Sequence, residues 1–388
     1  MDKVINEILW ISQDQSDDTK EKDKVKTITD TNKDSAKEKF DNKKTGESST
    51  KRFEDGGAAV TIRKYFEGEK HCTKVGNHSS FIPYNAFRVD HFPEPYRDTL
   101  LVDLVKVLGS LVVMLKISSV SKRRPKYFPE TFLEYPKSCS SGTGRIIFSK
   151  PIWGTETQHC PCRQCAQSSR PCMKWGEIKV VTAAHVVFDV TEAECTTCVL
   201  DYDSNDCHET VKLSFLNNEI IDVRNDRSTI VFVTHDIQMA YRLMNKIYEY
   251  KGLHDQAYAK YQNSLSTFNI DQQNDQPERH NACESNDKKT EKLQTEDLAI
   301  LISHPHGWSK QVSIGTSKKI VCKKDIDKGR VYTYYEYVLT SCGGSSGAPV
   351  YILGKEEVWT NHPHKGSNVH NEGVSGIEYE PMRKKIKK

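Results

Sequence analysis

Short apolar runs, separated by turn residues and polar stretches, make up most of the chain between residues 100 and 380. Runs of this length that end at Gly, Pro, Asn or Ser are typical of β-strands. The pattern therefore predicts an all-β protein. The predicted strands lie at 145–149, 177–185, 196–202, 211–215, 229–234, 298–303, 311–315, 331–339, 349–353 and 373–379.

Two stretches have helical periodicity instead. Residues 99–107 predict a short amphipathic helix, which a strand at 111–117 follows, and across 237–264 apolar residues recur at every third or fourth position. The second stretch predicts a helical insertion in the β protein. The segment 99–118 has about the length of a membrane span, but its three charged residues are costly in hydrocarbon, so we predict no membrane association.

Two long stretches, 12–55 and 271–295, consist mainly of charged and small polar residues. They explain why only 36% of the 388 residues are hydrophobic while 28% are charged. Such segments cannot bury enough apolar surface to fold, so we expect a disordered N-terminal arm. Residues 1–12 lack the features of a secretory signal, which predicts an intracellular, cytoplasmic protein.

A glycine-rich turn directly before an apolar strand is the strongest chemical signal. Its sequence is Gly344-Ser345-Ser346-Gly347-Ala348-Pro349. A nucleophilic serine needs a tight turn that exposes its hydroxyl and lets backbone N–H groups converge on a developing oxyanion. Ser346 has this setting, and an ordinary Gly/Ser-rich β-turn is the competing interpretation.

The second signal is a histidine at the end of an apolar strand, in Val180-Val181-Thr182-Ala183-Ala184-His185. An imidazole at the rim of a barrel can accept a proton from a serine hydroxyl. Taken alone, His185 would more often be a structural residue with satisfied hydrogen bonds.

Together the two motifs resemble the chymotrypsin/trypsin-like serine proteases, in which a Thr-Ala-Ala-His segment precedes a Gly-Asp-Ser-Gly-Gly-Pro segment. The resemblance implies two six-stranded β-barrels with His185 as general base, Ser346 as nucleophile and the N–H groups of Gly344 and Ser346 as oxyanion hole. Ser345 replaces the acidic residue of the digestive enzymes and Ala348 replaces a glycine, so activation by a new N-terminal amine is not expected. The resemblance also implies a substrate pocket near Thr340 and Ser375, whereas Glu378 more often would face solvent.

Two aspartates compete for the role of the orienting acid. Asp236 lies 51 residues after His185, and Asp297 lies 112 residues after it in an Asp-Leu-Ala-Ile-Leu strand that looks like the family's acid strand. The run from Ile302 to Gly307 resembles the His-Pro-x-Gly loop of bacterial lysyl and glutamyl endopeptidases, which follows the acid. We therefore expect Asp236 to orient His185, with Asp297 as the alternative and a helix N-cap as the structural interpretation of either.

The expected organisation follows from these assignments. Residues 1–80 form the charged arm, 81–235 the N-terminal barrel with a cysteine-rich loop, 236–296 the helical and polar insertion, and 297–380 the C-terminal barrel. The basic run at 381–388 is either a nuclear address or a solvated tail.

Twelve cysteines are many for an intracellular chain, and seven of them flank the histidine strand in sequence, four before it and three after it. Clustered thiolates can share a tetrahedral Zn²⁺, while free thiols and disulfides are the alternatives. We expect structural zinc and no cofactor in catalysis itself. The predicted ligands are Cys160, Cys162, Cys165 and Cys172, and further cysteines lie at Cys195, Cys198 and Cys207.

These observations favour an intracellular serine endopeptidase that acts on proteins or peptides. The alternative is an inactive protease-fold scaffold that binds peptides or partners, which would be favoured if no carboxylate reaches His185. A zinc-dependent nucleic-acid module is the weakest hypothesis, because the net charge is only +3 and no basic face accompanies the cysteines.

Overall fold

A computed structural model describes most of the chain from Cys72 onward. The described residues are 72–124, 140–155, 158–205, 211–223, 226–262, 297–325, 330–355, 363–366, 372–375 and 378–381. The predictions for the charged arm up to residue 71, the polar stretch 271–295, Cys207 and the end of the basic tail lie outside these residues.

Six strands close into an antiparallel barrel in the order β2-β3-β4-β7-β6-β5. Alternate side chains of adjacent strands point into the barrel: Ile178 and Val180 on one strand, and Ile230 and Phe232 on the next, are fully buried. Burying each contributes about 1.5–3 kcal/mol, which explains why these apolar runs form strands. The strands are β2 (Val112–Ile117), β3 (Ser140–Trp153), β4 (Lys174–Thr182), β5 (Thr196–Leu200), β6 (Val211–Asp222) and β7 (Arg227–Thr234).

The remaining strands form an eight-stranded sheet in the order β11-β8-β9-β10-β13-β12, with β1 on β9 and β14 on β10. A bridge between Pro349 and Pro363 links the segments that lead into the two end strands. The described strands thus confirm the first predicted barrel but not a second closed one. The strands are β1 (Ile82–Pro83), β8 (Asp297–Ser303), β9 (Gln311–Asp325), β10 (Arg330–Val338), β11 (Val350–Ile352), β12 (His364–Gly366), β13 (Glu372–Ser375) and β14 (Glu378–Pro381).

Both predicted helices form. Helix α1 (Thr99–Ser110) starts at Asp98, whose side chain accepts a hydrogen bond from the Leu100 N–H. The long helix α4 (Ile237–Tyr261) is the expected insertion, and short helices occur at α2 (Arg163–Ala166) and α3 (Val190–Glu194). None of the helices in the described residues is both long enough and apolar enough to span a bilayer.

Helix α4 packs across the barrel and the sheet. Ser149 of β3 donates a hydrogen bond to the Ala240 carbonyl over 2.9 Å, and the guanidinium of Arg145 lies 4.3 Å from the ring centroid of Tyr250. At the other end of the helix, the His254 ring lies 3.3 Å from the Tyr351 hydroxyl of β11. The insertion is therefore part of the core that joins the two β structures.

Residues 72–80 differ from the prediction that the disordered arm extends to residue 80. They include a 3-10 helix, Val75–Ser80, and a lysine, Lys74, that is only 5% exposed. Strand β1 then pairs with β9 through Ile82 and Val312. The Lys74 ammonium donates to the Ser341 carbonyl over 2.8 Å, so contacts with distant residues hold the segment that was assigned to the arm.

Candidate active site

His185 lies three residues beyond the end of β4 and is fully buried. Its backbone N–H donates to Oδ1 of Asp226 over 2.8 Å, and its ring Nδ1 lies 2.7 Å from Oδ2 of the same carboxylate. An ionised carboxylate only accepts hydrogen bonds, so Nδ1 carries the ring proton. Nε2 is then the basic nitrogen of the neutral ring.

The acid beside His185 is therefore Asp226, not Asp236 or Asp297, which corrects the predicted assignment. Asp236 is the N-cap of α4, where its Oδ1 accepts the Met239 N–H over 3.0 Å. Asp297 forms an ion pair of 3.0 Å with Lys355. Both predicted acids thus have structural roles, and for Asp236 this role is the helix N-cap that was the alternative interpretation of the sequence.

The register of the barrel explains why Asp226 reaches the histidine. Strands β4 and β7 are antiparallel and pair Thr182 with Ser228, so the residues just after Thr182 lie beside those just before Ser228. Asp226 has a positive φ of 52°, which aspartate tolerates better than most residues, and this turn presents its carboxylate to His185. The sequence signal was an acidic residue directly before an apolar strand.

A buried ion pair anchors the other side of the histidine backbone. Nη1 of Arg124 donates to the His185 carbonyl over 2.8 Å, and the same guanidinium pairs with the fully buried Glu192. Glu192 also accepts the Phe188 N–H over 2.9 Å. The peptide on each side of His185 is therefore held by a charged group.

The loop that carries Ser346 is attached to strand β3 of the barrel. The Thr143 N–H donates to the Ser346 carbonyl over 2.8 Å, and the Thr143 hydroxyl donates to the Gly344 carbonyl over 2.7 Å. The Thr182 hydroxyl in turn donates to the Thr143 carbonyl over 2.7 Å. One threonine thus connects the predicted nucleophile to the strand that leads to His185.

Gly347 shows how closely the loop approaches that strand. Its φ is +82°, and a Cβ built there would lie 2.1 Å from the Thr182 hydroxyl and 3.0 Å from the Ala183 nitrogen. Only glycine permits this approach. The structure therefore places the loop of the half-buried Ser346 against the end of the strand that leads to His185.

The peptide between Gly343 and Gly344 has a fixed orientation. The Gly343 carbonyl accepts the His306 N–H over 2.6 Å, and because a trans peptide directs its N–H opposite to its carbonyl, the Gly344 N–H points away from His306. Gly344 has a φ of +93°, and a Cβ there would lie 2.5 Å from the His304 carbonyl. This is the N–H group that the resemblance assigns to the oxyanion hole.

Ser345, which stands where the digestive enzymes have an acid, is fully buried. Its hydroxyl accepts a hydrogen bond from the Ser303 hydroxyl over 3.0 Å and from the Cys342 N–H over 3.4 Å. The serine is thus satisfied within the sheet, consistent with a loop that needs no N-terminal amine.

The two predicted pocket residues lie on different elements. Thr340 is buried after β10, and Ser375 of β13 pairs with His364 of β12, a residue that the sequence analysis missed. The His364 Nδ1 lies 2.6 Å from the Tyr337 hydroxyl. Burial, with the positive charge of Lys74, lowers the pKa of His364 to about 3, so its ring is neutral. Glu378 lies on β14, opposite Thr333.

Three of the predicted metal ligands form a compact group, and a histidine completes it. The Nε2 atom of His235 lies 3.3 Å from Sγ of Cys160, 3.5 Å from Sγ of Cys162 and 3.4 Å from Sγ of Cys165. Tetrahedral Zn²⁺ with Zn–S of about 2.3 Å and Zn–N of about 2.0–2.1 Å places sulfur and nitrogen ligands about 3.5 Å apart. The group therefore fits zinc.

Cys172 is not among these ligands, which corrects the predicted set. Its Sγ donates to the Lys174 carbonyl over 3.0 Å, while its N–H donates to the sulfur of Cys165 over 3.3 Å. It supports a ligand instead of being one. His235 was missed because it lies 70 residues from Cys165 in sequence and meets the cysteines only through the end of β7.

Comparisons with known proteins report similarity to solved protease structures. The Rv3671c protease of M. tuberculosis in its active form aligns over 72% of this chain and 82% of its own length, with 12% identity and a TM-score of 0.33. Deg5 aligns over 73% and 90%, with 11% identity and a TM-score of 0.34. The HtrA-type protease AlgW with a tripeptide aligns over 70% and 58%, with 8% identity and a TM-score of 0.31. No family profile and no curated protein matches the sequence.

Proposed function

We propose that the protein is a serine endopeptidase in which Ser346, His185 and Asp226 act as a catalytic triad. The observation that carries the proposal is the double contact of Asp226 with the backbone and ring of His185, beside the loop that presents Ser346. A carboxylate that fixes one imidazole tautomer next to a serine is the arrangement that serine activation requires.

The proposed reaction proceeds through an acyl-enzyme. Nε2 of His185 takes the proton of the Ser346 hydroxyl as its oxygen attacks the scissile carbonyl, and returns it to the leaving amine when the C–N bond breaks. Water, activated by the same nitrogen, then attacks the ester and releases the acid product. Asp226 keeps the proton on Nδ1 and stabilises the imidazolium in both steps.

The negative charge that develops on the carbonyl oxygen needs fixed donors. The Gly344 N–H, turned away from His306, and the Ser346 N–H at the end of the same turn are the proposed pair. Because the loop is held at both carbonyls by Thr143, these donors need no reorganisation during the reaction.

We propose an extended polypeptide as the substrate. The support is the proposed chemistry itself: the carbonyl of a main-chain amide is the group that Ser346 would attack and that the two N–H groups would bind. Protein and peptide substrates supply this group.

Labelling with a fluorophosphonate probe tests the proposal. We expect the full-length protein, kept under reducing conditions, to be labelled on one serine and to cleave peptides from an unbiased library, and Ser346→Ala to lose both properties. Ser345→Ala is the matched control and keeps labelling. Absence of labelling in folded protein would favour the scaffold alternative. That alternative would also be favoured if no acid lay beside His185, but Asp226 occupies this position.

For the group of Cys160, Cys162, Cys165 and His235 we propose structural zinc. Burial raises the pKa of the Cys160 thiol to about 12, so without a cation this sulfur would stay protonated. Binding of zinc would displace such protons and join the cysteine loop to the end of β7. Cys160, Cys162 and Cys165 are free thiols in the structure, as ligands of a metal must be.

A further inference from the structure

A second group of metal-binding side chains surrounds the loop of Ser346. It consists of Cys72 and His78 from the segment before β1, His306 from the turn after β8, and Cys342 from the nucleophile loop, and one ligand atom of each lies within 4.8 Å of the others. Cys342 and His306 are buried, while Cys72 and His78 are partly exposed. We call it the loop cluster.

The distances within the loop cluster match a tetrahedron around one zinc ion. Zn²⁺ with Zn–S of about 2.3 Å and Zn–N of about 2.0–2.1 Å separates two sulfurs by about 3.8 Å, sulfur and nitrogen by about 3.5 Å, and two nitrogens by about 3.3 Å. The observed separations are 3.7 Å for the two sulfurs, 3.4 and 3.5 Å from Nε2 of His78 to Cys72 and Cys342, and 3.2 Å between the two histidine Nε2 atoms. Both imidazoles thus direct the same nitrogen to one point.

The surroundings hold the ligands in this arrangement. The ring of Trp308 lies 5.2 Å from the His78 ring, edge to face, and 5.1 Å from the His306 ring. The buried Lys74, two residues after Cys72, donates to the Ser341 carbonyl over 2.8 Å. These contacts orient the ligands from outside the cluster, as the residues around zinc sites usually do.

Two of the four ligands flank the peptide of the proposed oxyanion hole. Cys342 directly precedes Gly343, and His306 donates its own N–H to the Gly343 carbonyl over 2.6 Å. His306 has a positive φ of 55°, a conformation uncommon for histidine, which lets its N–H reach Gly343 while its ring turns to the cluster. A cation that holds this ring and the Cys342 sulfur therefore restrains the peptide that ends in the Gly344 N–H.

We propose that the loop cluster binds Zn²⁺ and that this ion, through His306 and Cys342, fixes the Gly343–Gly344 peptide for catalysis. The second half of this statement rests on the proposed function; the first half does not. The ion has no part in the bond changes, and it ties the segment of Cys72 and His78 to the loop of the nucleophile.

The metal half is tested by counting zinc in the purified full-length protein. We expect two ions per chain in the wild type, one in Cys72→Ser and in His78→Asn, and one in His235→Asn, which removes only the other site. Cys195→Ser, which removes a thiol outside both groups, is the matched control and keeps two. A Co²⁺-loaded His235→Asn protein should show the absorption of a tetrahedral site with thiolate ligands.

Two ions in both Cys72→Ser and His78→Asn would overturn the metal half. The metal half would also be overturned if the wild type bound no second zinc and two of its thiols did not react with a thiol reagent. This result would show a disulfide between Cys72 and Cys342. Circular dichroism and the cooperativity of melting verify that each variant compared is folded.

The catalytic half is tested by the same variants with a peptide substrate. Loss of the loop-cluster zinc should lower kcat by 10-fold or more with little change in KM, because an oxyanion donor acts in the transition state. The rate of fluorophosphonate labelling should fall in parallel. An unchanged kcat in zinc-depleted Cys72→Ser would overturn this half, whereas a wild type that binds two zinc ions and never labels would overturn the proposed function and leave the metal site standing.

Discussion

At the scale of single residues, the proposed chemistry of the site depends on the position of one aspartate. Three aspartates lie in regions where a triad acid is plausible, and only Asp226 contacts His185, over 2.8 Å to the backbone and 2.7 Å to the ring. Asp236 and Asp297 are used for a helix cap and an ion pair. Asp236 is the N-cap of a helix, so its carboxylate already accepts a hydrogen bond from that helix. Spacing along the sequence does not show this, and it therefore favoured the wrong aspartate.

Asp226→Asn should lower kcat by about 10⁴-fold, because an amide can donate to Nδ1 and stabilise the wrong tautomer of His185. Asp236→Asn is the control: asparagine caps a helix about as well as aspartate, so activity and the free energy of unfolding should change little. Steady-state peptide hydrolysis with both variants makes the comparison. Equal losses in the two variants would contradict the assignment of Asp226.

His185 and Ser346 could be predicted because each lies in a short local motif that determines its own turn. Asp226 and His235 could not, because each meets its partners only through the register of an antiparallel barrel. Register depends on bulges such as the one between Phe215 and Asn217, and no local pattern in the sequence specifies them.

At the scale of elements, strand β3 connects the barrel to the nucleophile loop. Thr143 uses its N–H and hydroxyl to bind two carbonyls of the loop, and its hydroxyl also accepts the His304 N–H over 3.0 Å. The hydroxyl and the two groups that it contacts, the Gly344 carbonyl and the His304 N–H, are buried, so removing the hydroxyl leaves polar atoms without water to replace it. Sequence patterns predicted the strand, but not that a threonine within it would hold the active loop.

Thr143→Val keeps the shape of the side chain and removes its hydroxyl. We expect a loss of about 1–3 kcal/mol in the free energy of unfolding, because the Gly344 carbonyl and the His304 N–H lose their partner. The kcat should fall as well, since the Gly344 peptide loses one restraint. Urea denaturation measures the first effect and peptide hydrolysis the second; unchanged values for both would show that the hydroxyl is dispensable.

The elements themselves were largely predictable. Most of the predicted strands and both helices form near their expected positions, since period and turn residues encode them locally. Whether the second β structure closes into a barrel could not be predicted, because closure depends on which distant strands pair. The predicted disorder of residues 72–80 was wrong for the same reason, because this segment is held by contacts with distant residues, such as the hydrogen bond from Lys74 to the Ser341 carbonyl.

At the scale of the whole molecule, a buried neutral histidine makes stability depend on pH. The pKa of His364 is lowered to about 3 by burial and by the positive charge of Lys74, whereas the unfolded chain has an ordinary histidine pKa near 6.5. Between these values the unfolded state binds a proton that the folded state does not. Stability from this group is therefore lost as pH falls from about 6.5 towards 3.

His364→Gln should remove this contribution. We expect the wild type to lose about 1.4 kcal/mol more per pH unit between pH 6 and 4 than the variant does. Urea denaturation across this range gives both slopes. Parallel slopes would show that His364 is protonated in the folded protein.

The proposed structural zinc ion at Cys160 predicts a second global effect. His235→Asn should lower the melting temperature and the zinc content together, while Cys172→Ser should keep the full zinc content, because the Cys172 sulfur points to the Lys174 carbonyl. Differential scanning calorimetry with metal analysis of both variants makes the test. Loss of zinc in Cys172→Ser would restore the predicted ligand set.

The division of the proposed triad between two β structures has a consequence for the control of activity. His185 and Asp226 both border strands of the closed barrel, whereas Ser346 belongs to a loop of the open sheet, and Thr143 joins them. The acid–base pair is therefore assembled even when the nucleophile is out of alignment. A substitution that displaces the Ser346 loop would therefore abolish the proposed activity with the barrel still folded, so loss of activity and loss of structure are separable events in this molecule.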